Sequence, residues 1–101
     1  MGRDRRVSAE FEAAEGVGVS ALAYLADDAE RLGRFLAVTG IDPRQIRQLA
    51  GDPGFLAAVL DHIATDERLL VAFAESADIA PAAVARARTA LSGAQWEREM
   101  P

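Results

Sequence analysis

Cysteine, lysine and asparagine are absent from this 101-residue chain, and histidine occurs once. Without cysteine there is no disulfide, no thiolate zinc site and no thiol nucleophile. Aromatic side chains make up only 6% of the residues. Of the hydrophobic residues 22 are alanine, which leaves 29 larger ones. That is enough to close one small core, with little left for a deep apolar pocket. No apolar run approaches the ~20 residues that span a bilayer. Eleven basic residues, all arginine, stand against 16 acidic ones, for a net charge of −5. An acidic chain has no global attraction for phosphate backbones or anionic lipid, so any such binding needs a local patch.

At this length one domain is expected, and an enzyme with its cleft between two domains is not. Arg3-Asp4-Arg5-Arg6 superficially matches a twin-arginine export signal. The carboxylates of Glu10 and Glu12 fall where the apolar stretch of such a signal would lie. Gly2 lacks the Ser or Thr four residues on that myristoylation requires. A cytoplasmic protein is therefore expected. Arginine without lysine, together with the alanine load, reads as the codon usage of a GC-rich bacterium.

The punctuation of the chain predicts an all-α fold, a compact six-helix bundle in which residues 8–91 form the domain. Residues 1–7 are expected as a flexible basic N-terminus and 92–101 as a tail. A first helix runs from about Ser8 to Ala26, with Phe11, Ala14, Ala21, Leu22 and Leu25 on one face. Asp27 is expected to cap a second helix, with Glu30 completing a capping box and pairing with Arg34. Its stripe is Leu32, Phe35, Leu36 and Thr39, and Gly40 ends it. Asp42-Pro43 starts a short third helix to Ala50, and Asp52-Pro53 a fourth carrying Phe55, Leu56, Val59, Leu60 and Ile63. Thr65 is expected to cap a fifth helix with Leu69, Leu70, Phe73 and Ala77. Pro81 begins a sixth with Val84, Ala87, Arg88 and Leu91, which Ser92-Gly93 should break.

A faint repeat runs through this pattern at an offset of 38 residues. It matches Leu22 with Leu60, Asp28 with Asp66, Phe35 with Phe73, Ile41 with Ile79 and Pro43 with Pro81. It suggests two related three-helix units packed face to face. The segments Leu22-Ala23-Tyr24-Leu25-Ala26, Arg31 to Ala37, Thr39-Gly40, Asp52 to Leu56 and Val59 to Ile63 resemble, in their order, a family of small bacterial proteins. That family is catalogued only as a domain of unknown function. The resemblance covers roughly Ala13 to Leu91. It departs at Ala29, where the family often has proline after the aspartate. It implies a small helical cytoplasmic protein and brings no activity, cofactor or catalytic residue with it.

Each candidate for chemistry has a plainer explanation. Gly16-Val17-Gly18-Val19-Ser20-Ala21 matches the dinucleotide pattern G-x-G-x-x-A, but that pattern acts only between a strand and a helix. Here it lies inside a helix, where small residues serve close packing or a kink. His62 has Asp61 beside it and Asp66 one turn on, an arrangement able to orient an imidazole; as the one histidine, just off its helix's apolar stripe, it reads as a boundary residue. No serine stands in a nucleophile setting.

Arg31 and Arg34 share one helix face, and Arg44 and Arg47 another. If the two faces meet, the four guanidinium groups form a basic patch. Helices 43–50 and 53–64 have the length of a helix-turn-helix. The second of them carries Asp61 and no arginine, which opposes phosphate binding. Ion pairs with Asp28, Glu30 and Asp42 account for the arginines more simply. Trp96 in the tail, with Val38 and Val71 off their stripes, forms the candidate partner interface.

By elimination, the expected function is that of a protein–protein interaction or adaptor module, with an unidentified protein or a second copy as partner. No catalytic, cofactor or metal site is expected, and membrane binding is not. The alternative is a DNA-binding regulator using the third and fourth helices. A small enzyme built around Asp61, His62 and Asp66 comes third.

Overall fold

A computed structural model describes the backbone of residues 2–99 and the side chains of residues 9–93. Six α-helices follow one another: α1 (Gly2–Ala26), α2 (Ala29–Thr39), α3 (Ile46–Leu49), α4 (Pro53–Ala64), α5 (Glu67–Ala77) and α6 (Pro81–Glu99). A single 3-10 turn, Pro43–Gln45, leads into α3. No strand occurs among the described residues, so the fold is all-α.

The centre of the molecule is α4. Pro53, Phe55, Leu56, Ala57, Val59, Leu60 and Ile63 are all buried along its 12 residues. A helix apolar on most of its circumference must be enclosed by others, and α4 packs most extensively against α6 and α1. Those two also pack on each other, through Ala14, Ala21 and Leu25 of α1 and Val84, Ala87 and Leu91 of α6 in the common core. Each of the outer helices forms a hairpin with the helix before it, α2 on α1 and α5 on α4. The anchors of α2 and α5 are Phe35 and Phe73, buried at 0% and 1% exposure. No described helix is long and apolar enough to cross a membrane.

Several boundaries differ from expectation, each for a local reason. The N-cap of α2 is Asp28, not Asp27. The Asp27 backbone N–H still bonds to Ala23 O at 3.0 Å and so completes α1. Asp28 has turned extended, and its carboxylate accepts from Glu30 N at 2.9 Å and Arg31 N at 3.3 Å. Likewise Thr65 closes α4, its N–H bonding to Asp61 O, while Asp66 caps α5 by accepting from Arg68 N and Leu69 N. In both places two adjacent polar residues could cap, and the extended backbone selects the second.

The third helix is shorter than Pro43 to Ala50, since its first turn is 3-10. The first helix begins at Gly2 instead of Ser8, and Ser92-Gly93 leaves α6 unbroken to Glu99. One glycine inside a helix costs only about 1 kcal/mol, and Leu91, fully buried, holds the backbone in place beside it.

The 38-residue offset reappears in the caps. Asp28 and Asp66 are N-caps, Ala29–Thr39 and Glu67–Ala77 are both 11 residues, and Gly40 and Asp78 both end their helices in the left-handed conformation. Correspondence stops there: Pro43 opens a 3-10 turn, whereas Pro81 opens 19 residues of α-helix.

Candidate functional site

The glycine pattern in α1 serves packing. A Cβ on Gly18 would stand 2.9 Å from Leu56 Cβ, so the bare backbone is what lets α1 lie against α4. Gly16 faces open space. The ring of His62 meets the edge of Phe35, with centroids 5.2 Å apart. Its acidic neighbours in sequence are engaged elsewhere. Asp61 accepts from Arg88 of α6 at 2.8 Å, and Asp66 caps α5. No group of three or more potential metal ligands converges among the described residues.

Nor do the arginines act as a set. Arg31 closes the α1–α2 corner: Nη1 donates to Tyr24 O at 2.7 Å, and the guanidinium lies 4.0 Å over the Tyr24 ring. It also pairs with Asp28 at 3.7 Å. Arg34 is exposed on α2, and the expected Glu30–Arg34 pair is not among the ion pairs of the described residues. Arg44 pairs with Asp42 at 2.8 Å, and Arg47 is exposed on α3. Two of the four guanidinium groups, those of Arg31 and Arg44, are thus engaged by groups close to them in sequence. The helix that would enter a DNA groove is α4, whose side chains fill the core.

The Arg44 guanidinium holds the Asp42 carboxyl below its ordinary value, and the Arg44 backbone N–H adds to the effect. A lowered native pKa gives a stabilisation that is complete above the ordinary carboxylate pKa of about 4 and is lost as pH falls through the lowered one. In a carboxyl-detected NMR titration, Asp42 is expected to titrate below the ordinary aspartate value and to move up in Arg44→Ala. An Asp42 pKa indifferent to that substitution would contradict the pairing.

Of the candidate interface residues, Val38 is 75% exposed on α2 and Val71 is 42% exposed on α5. The side chain of Trp96 lies outside the described residues. Sequence reasoning passed over Val19, 48% exposed on α1, and passed over a surface on another side of the same helix.

That surface is an open groove of about 370 Å³ between α1 and α6. Its α1 wall is Glu10, Ala13, Ala14 and Val17, and its α6 wall is Ala83, Arg86, Ala87 and Ala90. Six of the eight lining residues are apolar, five of them alanine. The two charges are of opposite sign, one on each wall, and no ion pair joins them. Ligand pockets of this volume carry several converging polar groups that fix a ligand's orientation. This groove has only the two at its walls. Alanines at helical spacing were legible in the sequence, but they look the same whether they face another helix of the fold or solvent.

A protein family described as "Protein of unknown function (DUF3572)" matches residues 11–94. The chain belongs to that family. The match opens at Phe11 in α1 and closes within α6, slightly wider than the Ala13 to Leu91 expected from the motifs. It takes in every residue of the groove except Glu10. No curated protein matches the chain, and no solved structure does.

Proposed function

We propose that this member of the family is a cytoplasmic protein-binding module, and that the face made by α1 and α6 receives the partner. The observation that carries the reading is the groove, an exposed apolar trough walled by alanine and valine and marked by one acid and one base. Side chains this short let a partner helix approach closely and lose little rotamer freedom on burial. The competing readings have less behind them. A DNA-binding role would have to rest on the exposed positions of α4, Ala58, Asp61 and Ala64, which carry an acid and no base. An enzyme around His62 would require Asp61 and Asp66 to give up their present partners.

The test is affinity capture of the tagged protein from lysate, with and without nuclease, beside an Ala13→Arg variant. Ala13 is exposed and lines the groove, so the substitution fills the trough without entering the core. The expected result is a protein recovered stoichiometrically in both arms and lost with Ala13→Arg. Recovery that disappears with nuclease would turn the reading toward nucleic acid and make Arg44 and Arg47 the next residues to change. Recovery indifferent to Ala13→Arg would move the site off this face.

A further inference from the structure

We infer that the partner of the α1/α6 face is a second copy of this chain, joined across a two-fold axis so that α1 of each copy lies over α6 of the other. The inference rests on the protein-binding reading of the same face and names its occupant. Charge is the first argument. The α1 wall of the groove has Glu10 as its one charge, and the α6 wall has Arg86 as its own. A face acidic on one half and basic on the other is complementary to itself. Two-fold symmetry brings each half against its opposite and makes every contact twice. Arg88 is held by Asp61, which leaves Arg86 as the groove's base to meet Glu10 of the second copy.

The outward line of each helix fits close approach. Along α1 the exposed positions Ala9, Ala13, Gly16 and Ser20 are all small and spaced four, three and four residues apart. Along α6, Ala82, Arg86, Thr89 and Gly93 repeat that spacing and are exposed, with Arg86 the one long side chain. Extent is the second argument. A face two helices wide is no longer than the shorter of them. At 1.5 Å per residue the 19 residues of α6 run about 28 Å, and two helices side by side are about 20 Å wide. That face is on the order of 550 Å² per copy, or about 1,100 Å² in all, just above the ~1,000 Å² that a specific interface should clear.

The test uses the purified full chain and two single variants, Glu10→Arg and Arg86→Glu, followed by sedimentation and light scattering over a concentration series. Both positions are exposed, so circular dichroism should match the wild type. The wild type is expected to dimerise. Each variant alone places like charges opposite each other twice and should associate roughly a hundredfold more weakly. Mixing the two variants should restore a dimer containing one of each, because both contacts then join opposite charges. Pairing within a chain could not produce that result, since neither chain recovers its own partner. A wild type that stays monomeric to 100-fold above the working concentration, single variants that dimerise like the wild type, or a mixture that stays monomeric would each overturn the inference. If the wild type is monomeric while Ala13→Arg still abolishes capture from lysate, the second copy is excluded and the protein-binding reading stands.

Discussion

Phe35→Ala is expected to cost about 3–5 kcal/mol, the range found when a buried phenylalanine is truncated. For a domain of this size that is a fall in Tm on the order of 20 °C, and a large share of a total stability of about 5–15 kcal/mol. Phe35 is the one buried side chain of α2. Its ring meets Phe55 edge-on at 6.0 Å and His62 at 5.2 Å, both on α4. Truncation therefore opens a cavity and removes the attachment of α2 to the central helix at once. Val38→Ala on the exposed side of α2 should change stability by no more than about 0.5 kcal/mol. Denaturant unfolding of the two variants tests this, and a Phe35→Ala loss below about 1 kcal/mol would show that α2 is held from elsewhere.

The two glycines of α1 should respond with opposite signs. Gly18→Val places a branched side chain against Leu56 Cβ, an atom fixed by the α4 backbone that cannot swing aside. Overpacking of this kind costs about 1–3 kcal/mol, and here it forces α1 and α4 apart at the centre of the core. Gly16→Ala meets nothing within 4 Å. It should stabilise by about 0.5–1 kcal/mol through the lower conformational entropy of the unfolded chain. Thermal melts of both variants decide it; equal effects at the two positions would remove the distinction drawn between them.

The stripes of α4 and α6 could be read almost directly: Phe55, Leu56, Val59, Leu60, Ile63, Val84, Ala87 and Leu91 are all in the core, whereas Arg88, expected on the α6 stripe, is exposed and pairs with Asp61. Their helices face the interior on one continuous side, so periodicity alone identifies them. Caps were legible to within one residue. Where Asp27-Asp28 and Thr65-Asp66 offer two candidates, the choice depends on where the preceding helix releases the chain. The end of α6 was not legible at all, since Gly93 signals a stop only when nothing holds the backbone beside it. The groove was hidden for another reason. Alanine is compatible with core, interface and solvent alike, so a row of alanines does not declare which of the three it faces. Arg31 was assigned to a patch by its charge, and only the turn between α1 and α2 reveals that its guanidinium belongs to the carbonyl and ring of Tyr24.

In the folded protein, α6 covers both α1 and α4. On the ribosome the six helices emerge in order, at about 5–20 residues per second. Leu25 is therefore made roughly 3–13 s before Leu91, the residue that shares its core. Hairpins of α1 with α2 and of α4 with α5 can assemble within microseconds to milliseconds of emerging. Neither can hide the side that α6 will occupy. A nascent chain arrested between α5 and α6 is consequently the form in which this domain is open to proteases and chaperones, and the synthesis of α6 is the event that withdraws it from them.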